Sequence, residues 1–299
     1  MTAIEILNWF LFSVLALTTL ATATAYFKSR DITQPPKRRT LVAYHPDQYG
    51  LVYEVIDFTT ADGLQLRGWF IPAAGGETEK TIILCHGWGA NRGDLMRDTH
   101  FLAGHGFNLF YFDFRGSGES GGDISSVGYL ETRDFDAAYE FLRHNRPHAC
   151  EHTGLFGASM GGSVAVYAAA KYPELKCLLL ENTFLSYRRV VSNFSWLRMN
   201  VPYWPLVPMT LFFAKMKLGA DPEPFSPAHN IAAVKVPALF INGDHDDLVP
   251  LADAEILYGL CRSEKKQMWA ITGSTHGKCA EIGGEVYKTR VSKFFTENL

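Results

Sequence analysis

This 299-residue sequence has few cysteines, little net charge and no internal repeats. The five cysteines are odd in number and none forms a C-x-x-C pair, so neither a disulfide framework nor a zinc site is expected. Cys85 and Cys177 lie inside apolar runs, as small buried side chains do, and this favours a reducing compartment. The formal net charge of −3 gives no sign of a nucleic-acid partner.

Charged side chains are also absent from residues 6–27, which read ILNWFLFSVLALTTLATATAYF. A helix that crosses a bilayer needs about 20 apolar residues. Trp9 and Tyr26 lie near the two ends of the run, where aromatic side chains meet the membrane surface. We therefore predict an N-terminal membrane anchor over residues 1–27 and a tether over residues 28–49.

Two other interpretations of the N-terminus stay open. A signal peptide, whose cleavage would export the rest of the chain, is favoured by the A-x-A pattern of residues 23–25. Glu5 and the lack of Lys or Arg before the apolar run oppose it. The run could also be a buried helix. If it is an anchor, the basic residues after it place the rest of the chain on the cytoplasmic side of the membrane: Lys28, Arg30, Lys37, Arg38 and Arg39.

Beyond residue 50, short apolar runs alternate with helical patterns. This alternation predicts an α/β fold with a mostly parallel eight-stranded sheet flanked by helices. Asp62-Gly63 between the first two runs predicts an antiparallel hairpin. The predicted strands are 51–58, 64–71, 80–85, 107–112, 152–156, 176–181, 236–242 and 266–271. The predicted helices are 91–104, 128–145, 160–171, 252–262 and 284–297.

One segment, residues 184–229, interrupts the alternation. It is rich in large apolar side chains, is divided by prolines and is too long for a plain loop. We predict that it forms short helices and acts as a lid, inserted between the two parts of an α/β core at residues 50–183 and 230–299. The alternative is a segment that only packs on the core.

The most specific motif is Gly157-Ala158-Ser159-Met160-Gly161, a G-x-S-x-G between a predicted strand and a predicted helix. In this context the serine occupies a sharp turn that exposes its hydroxyl, and the two glycines avoid collisions with neighbouring elements. The motif predicts a nucleophilic serine. Such a serine needs a base and an acid, in the chain order serine, acid, histidine.

Both partners follow the serine in the sequence. His276 is the only histidine after the last predicted strand and is the predicted base. The loop after the predicted strand 236–242 supplies the acid and offers Asp244, Asp246 and Asp247.

Two backbone amides complete the predicted site, because acyl transfer needs N–H donors aimed at the developing oxyanion. One is expected from Met160, the residue after the serine. The other is expected from Trp88, in the loop that follows the predicted strand 80–85, with its indole lining the pocket.

Two other segments contain residues that are typical of a cofactor or metal site. The stretch FDFRGSGESGG, residues 112–122, contains the G-x-G-x-x-G that is typical of dinucleotide binding. A dinucleotide turn would follow the first strand of its unit and open a helix at once, whereas this stretch follows the fourth predicted strand, so no cofactor is predicted. Residues 244–247 lack a calcium-binding pattern, so no metal is predicted either.

Five segments in this order, HGWGANR, DFRGSGES, GASMGG, GDHDDLVP and GSTHG, resemble the α/β-hydrolase superfamily, in its monoacylglycerol-lipase-like and serine-aminopeptidase-like branch. The opening DFTTADGLQLRGWF is similar to that of membrane-linked Bem46-type members. The resemblance covers about residues 50–297. It implies Asp246 as the acid, because the pattern G-x-x-D-x-x-V falls on residues 243–249, with Asp247 as the alternative.

The resemblance implies a serine hydrolase that cleaves an acyl ester through Ser159, Asp246 and His276. The aromatic lid and the anchor favour a hydrophobic small-molecule substrate, such as a short- to medium-chain or lipid-like ester. A serine-aminopeptidase-type amide hydrolase and an acyl-thioesterase are the nearest alternatives, and a non-catalytic membrane-tethered interaction module is the alternative of a different class. In this reading the stretch DFRGSGES is a scaffold turn braced by Asp113 and Arg115.

Overall fold

The computed structural model of the protein describes residues 1–34 and 41–299. Eight strands form one central sheet: β1 (Glu54–Thr59), β2 (Gln65–Ile71), β3 (Lys80–Cys85), β4 (Asn108–Phe112), β5 (His152–Ala158), β6 (Cys177–Glu181), β7 (Ala238–Gly243) and β8 (Lys266–Ile271). Their order in the sheet is β1-β2-β4-β3-β5-β6-β7-β8. β2 pairs antiparallel with β1 and β4, and the other neighbouring pairs are parallel. The predicted mostly parallel sheet is confirmed.

Helices cover the sheet on both faces. The α-helices of the described residues are α1 (Ala3–Thr33), α2 (Arg92–Thr99), α3 (Glu131–Asn145), α4 (Met160–Lys171), α5 (Tyr187–Met199), α6 (Leu206–Leu218), α7 (Pro227–Asn230), α8 (Leu251–Leu260) and α9 (Cys279–Asn298), of which α1 packs on α6 and not on the sheet. Alternate side chains of β3 and β4 enter opposite layers of the core. Ile83 and Phe110 pack in one layer, whereas Ile82 and Leu109 pack in the other. Strands buried on both faces need apolar residues at every position, which explains their continuous apolar runs.

Helix ends differ from the prediction where the backbone turns at glycine. The helix predicted over 91–104 is α2 followed by a 3-10 helix, His100–His105, which stops at Gly106 with φ of 85°. α9 begins ahead of residue 284, where we predicted its start, and Gly284 kinks it with φ of 51°. Only glycine adopts such positive φ values without steric cost.

The lid segment, residues 184–229, consists of α5, α6, a 3-10 helix at Glu223–Phe225, and α7. Ser186 caps α5, since its hydroxyl accepts a hydrogen bond from the backbone N–H of Arg189. Asn200 ends α5 in the left-handed conformation. The lid segment therefore joins β6 to β7 as separate short helices.

The N-terminal helix is longer than we predicted. α1 runs to Thr33 and not to Phe27, so residues 28–33, which we assigned to the tether, are helical. Two of the prolines and three of the basic residues of that predicted tether fall at 35–40, outside the described residues. Of the part of the chain that the structure describes, α1 is the one helix long and apolar enough to cross a bilayer.

Candidate active site

The G-x-S-x-G motif forms the tight turn between β5 and α4. Ser159 has φ of 51° and ψ of −113°, a backbone conformation that residues other than glycine rarely adopt. A Cβ on Gly161 would lie 2.0 Å from the Cys85 carbonyl oxygen, and a Cβ on Gly157 would lie 2.6 Å from the Gly161 carbonyl oxygen. Both positions therefore require glycine, because β3, β5 and α4 approach too closely for a side chain.

Three side chains from three loops meet at this turn. His276, between β8 and α9, has its Nε2 atom 3.1 Å from Ser159 Oγ. Its Nδ1 atom lies 2.7 Å from Oδ2 of Asp246, which is between β7 and α8. With a carboxylate as acceptor, Nδ1 carries the hydrogen, which leaves Nε2 able to accept a proton from the serine hydroxyl. The structure thus brings together the serine, histidine and aspartate that we singled out in the sequence.

Neighbouring aspartates in the loop after β7 have different surroundings. Asp246 is buried, and its Oδ1 atom accepts hydrogen bonds from the backbone N–H groups of Leu248 at 3.0 Å and Val249 at 2.8 Å. Asp247, the alternative acid, has a side chain that is 54% exposed and lies 3.9 Å from Arg198. The loop therefore directs Asp246 toward His276 and Asp247 toward solvent.

Asp244 and His245 form a separate pair on the same loop. Asp244 Oδ1 lies 2.6 Å from Nδ1 of the exposed His245 ring and accepts a hydrogen bond from the Gly273 N–H at 2.7 Å. The hydrogen bond from His245 lowers the pKa of Asp244. Within residues 1–34 and 41–299, no three His, Cys, Asp or Glu side chains are grouped so that they could hold a metal ion.

The loop after β3 lies directly beside the serine. A Cβ on Gly87 would lie 3.4 Å from Ser159 Cβ. His86 braces this loop, because its Nε2 accepts a hydrogen bond from the Phe114 N–H at 3.0 Å and its Nδ1 lies 2.8 Å from the Gly87 carbonyl oxygen. The indole of Trp88 packs edge-on against Phe194 of α5, with ring centroids 5.2 Å apart.

One glycine of the stretch FDFRGSGESGG, Gly118, lies directly against a carboxylate of the protein itself. The Asp113 carboxylate accepts hydrogen bonds from the backbone N–H groups of Arg92 at 2.7 Å and Glu119 at 2.9 Å, and it also pairs with the Arg92 guanidinium. A Cβ on Gly118 would collide with that carboxylate at 1.9 Å. Gly118 is therefore required where the backbone of this turn passes close to Asp113.

Arg115 connects the same turn to two other elements of the fold. Its guanidinium donates hydrogen bonds to Asp134 at 2.7 Å and to Asp62 at 2.9 Å. The hydrogen bond from Arg115 holds the pKa of Asp62 well below its usual range. This arrangement ties the β1–β2 hairpin and α3 to the turn that follows β4.

A small apolar cavity of about 100 Å³ opens beside Ser159 and His276. The lid segment supplies much of its lining through α5, and Trp88 and Met160 also line it. One wall residue, Ile32, comes from α1, and sequence reasoning missed it because nothing in the local pattern links an N-terminal helix to a serine more than a hundred residues away. The apolar members of the lining are Ile32, Trp88, Val127, Met160, Phe184, Val190, Val191, Phe194 and Leu248.

Sequence reasoning also missed a buried acid under the turn. The carbonyl oxygen of Glu181, at the end of β6, accepts a hydrogen bond from the Ser159 N–H at 2.8 Å. Its carboxylate accepts a hydrogen bond from the Tyr287 hydroxyl. Burial raises the pKa of Glu181 to about 7. The sequence does contain a signal for this residue, because Glu181 ends the apolar run KCLLLE. An acid in such a buried strand is itself expected to be buried and to have a partner.

Known proteins are similar to this chain over most of its length, and their similarity agrees with the fold. The profile of a hydrolase family described as serine aminopeptidase, S33, matches residues 76–216. The uncharacterized protein YfhR of Salmonella typhimurium is 30% identical over 271 residues, which are 84% of this chain and 86% of YfhR. Protein bem46 of Schizosaccharomyces pombe is 26% identical over 95% of this chain and 91% of its own length.

Among solved structures, the Pyrococcus furiosus esterase Pf2001 is similar to this chain over most of both molecules. It has a TM-score of 0.74 and 27% sequence identity, and the match covers 88% of this chain and 99% of the esterase.

Proposed function

This chain belongs to the Bem46-like family of the α/β-hydrolase superfamily and is a hydrolase, and we propose that it cleaves acyl esters. In this proposal Ser159 is the nucleophile, His276 the base and Asp246 the acid of a catalytic triad. The observation that carries the proposal is the chain of contacts from Ser159 Oγ to His276 at 3.1 Å and on to Asp246 at 2.7 Å. The match to an esterase structure supports an ester as the bond cleaved.

The reaction proceeds through an acyl-enzyme. His276 Nε2 takes the proton from Ser159 as Oγ attacks the acyl carbonyl, and the backbone N–H groups of Trp88 and Met160 stabilise the oxyanion. The tetrahedral intermediate collapses, and the leaving alcohol departs with the proton from His276. Water then attacks the acyl-enzyme in the same manner and releases the carboxylic acid. Asp246 keeps the imidazole in the required tautomer and stabilises its charged form.

The apolar pocket favours an acyl ester over a substrate with a free ammonium group. The two acids of the lid segment are already engaged. Asp221 lies 3.0 Å from Lys215, and Glu223 accepts a hydrogen bond from the Arg188 N–H at 2.9 Å. Both line a cavity other than the one beside Ser159. An aminopeptidase would need an acid near the nucleophile to bind the substrate amine, so we rank amide hydrolysis lower. An acyl-thioesterase would use the same residues.

We also propose that α1 anchors the protein in a membrane with the hydrolase body on the cytoplasmic side. Its apolar residues are exposed along most of its length, and Lys28 and Arg30 follow the charge-free run. Protease treatment of intact cells tests this orientation, and digestion of the body from outside the cells would contradict it.

Labelling by a fluorophosphonate probe tests the nucleophile. We expect the folded protein to be labelled and Ser159→Ala to be unlabelled, because the probe reacts with an activated serine hydroxyl. Ser163→Ala, which changes a buried serine on the next turn of α4, is the matched control and should label normally. If the folded wild-type protein does not react, the non-catalytic interaction module is the better reading.

A series of p-nitrophenyl esters of increasing chain length, run with the Ser159→Ala control, then defines the acyl group. Aminoacyl-naphthylamides and acyl thioesters belong in the same assay. Faster turnover of the naphthylamides than of the esters would contradict the proposed ester preference.

A further inference from the structure

The C-terminal end of α1 is built into the hydrolase body. The side chains of Ser29 and Thr33 are buried, and the Thr33 carbonyl oxygen accepts a hydrogen bond from the Ser125 N–H at 2.9 Å. Ile32 is only 3% exposed and belongs to the same core cluster as Met160. The end of the helix is therefore a fixed part of the fold.

Ile32 is also a wall of the small pocket beside Ser159. It shares that lining with Val190 and Phe194 of the lid segment. In a cavity of about 100 Å³, the bulk of a single wall residue decides how much of an acyl chain fits. A residue of the N-terminal helix thus limits the space beside the proposed nucleophile.

Farther from its end, α1 packs on the lid helix α6. The rings of Tyr26 and Phe213 meet edge-on, with centroids 5.7 Å apart. Phe213 also forms one side of a shallow groove whose other side is α1, between residues 18 and 27. Because these residues belong to the charge-free run, α6 lies alongside the segment that is apolar enough to enter a bilayer.

The lid surface around α6 exposes large apolar side chains. Trp204 is 75% exposed, Phe212 58% and Met216 64%, and we call these three residues the lid patch. Lys217 and Lys215, the latter paired with Asp221, are exposed beside it in the last turn of α6. Exposed aromatic and aliphatic side chains flanked by lysines suit the interface of a membrane with anionic lipids.

The length of α1 sets the height of the pocket above a membrane. A helix rises about 1.5 Å per residue, so Ile32 lies about 8 Å beyond Phe27, where the charge-free run ends. The polar layer on each side of a bilayer is about 5 to 8 Å thick. If residues 6–27 span the hydrocarbon, the pocket wall at Ile32 lies at the level of the headgroups.

We propose that α1 is both the membrane contact and a wall of the substrate pocket, so that one acyl chain of a membrane ester enters past Ile32 from the headgroup layer. The lid patch lies on and beside the helix that packs along residues 18–27, so in this arrangement it contacts the lipids of the same leaflet. The inference depends on the proposed ester hydrolysis and narrows its substrate class to esters that reside in a membrane.

The test uses the full chain in vesicles of phosphatidylcholine with a minority of phosphatidylglycerol, and compares p-nitrophenyl laurate with p-nitrophenyl butyrate. We expect Ile32→Ala to raise the ratio of laurate to butyrate kcat/KM and Ile32→Phe to lower it, each by about tenfold or more, because even one methylene in an apolar pocket changes kcat/KM by about 10- to 200-fold. Leu20→Ala, an exposed change in the same helix, is the matched control and should leave the ratio unchanged.

Two results separate this inference from the proposed function. If butyrate is hydrolysed in a Ser159-dependent way but the ratio is the same in both Ile32 variants, the pocket-wall role is overturned and the esterase proposal stands. If no ester is hydrolysed by the wild-type protein, both fail.

A separate measurement tests how close the pocket lies to the headgroup layer of the membrane. A fluorescent phosphonate bound to Ser159 should be quenched by lipids brominated near the headgroup, because it would lie within the interface. Phe212→Asp should weaken that quenching, whereas Val286→Asp, an equally exposed site on α9, should not. A probe that brominated lipids leave unquenched would place the pocket away from the membrane and overturn the proposal.

Discussion

At the scale of single residues, Asp246 shows how a loop selects one carboxylate out of several. Two backbone N–H groups hold its Oδ1 atom, which leaves Oδ2 directed at His276. Asp247 follows immediately in the chain but points to solvent. The difference lies in the turn of the backbone, since the two side chains are chemically identical.

Asp246→Asn should lower kcat by a factor on the order of 10³ to 10⁴, because an amide in place of the carboxylate stabilises the wrong imidazole tautomer. The retained Oδ1 can still accept both backbone hydrogen bonds, so we expect the fold to be preserved. Ester hydrolysis measured beside a circular dichroism spectrum checks both points. Asp247→Asn is the matched control, and a large loss of activity in that variant instead would make Asp247 the acid.

The sequence led to most of the candidate site because its motifs are local. Ser159 and His276 each follow a predicted strand in a short pattern, and the structure places them together. The choice between Asp246 and Asp247 depended on a family resemblance, because nothing in residue chemistry separates them. Ile32 and Glu181 were not predicted, since their roles depend on contacts between elements that are far apart in the chain.

At the scale of elements, strands were predicted more accurately than helix ends. Strands covered on both faces are apolar at every position, and this pattern is visible in the sequence. The ends of α2 and α9 depend on caps and on single glycines with positive φ, which apolar periodicity does not report. The extension of α1 past the charge-free run was missed because a charged residue does not end a helix.

Gly161→Ala should destabilise the contact between α4 and β3 by about 1 to 3 kcal/mol, the usual cost of forcing extra atoms into a packed core. The added methyl group would lie 2.0 Å from the Cys85 carbonyl oxygen, a backbone atom that has little freedom to move. Urea denaturation gives the free energy of unfolding.

Gly259→Ala, inside α8, is the control for that measurement. A Cβ there meets no atom within 4 Å, so the variant should be neutral or slightly more stable. Equal stability of the two variants would show that the turn has room for a side chain.

At the scale of the whole molecule, stability depends on pH wherever folding changes the pKa of a group. Glu181 is such a group, because burial in the core raises its pKa from 4.5 to about 7. Near pH 4 the carboxyl is protonated in both the folded and the unfolded chain. Between the two pKa values only the folded chain keeps the proton, so the free energy of unfolding falls as the pH rises toward 7 and stays low above it.

Glu181→Gln should therefore be more stable than the wild type at pH 8, by about 3 kcal/mol, since each unit of pKa shift is worth about 1.4 kcal/mol. The difference should vanish near pH 4. The amide oxygen can still accept the hydrogen bond from Tyr287. Thermal unfolding across this pH range, with the exposed Glu285→Gln as control, measures the effect, and a variant that is less stable at pH 8 would refute it.

The hydrogen bond between Thr33 and Ser125 has a consequence for biosynthesis. α1 leaves the ribosome before the hydrolase body and, if it is inserted, reaches the membrane before Ser125 has been made. Since domains fold as they are synthesised, the hydrolase body must complete its core around a helix end that is already held at the lipid surface. Replacing α1 with an unrelated membrane helix would then remove part of the hydrolase core as well as the membrane anchor.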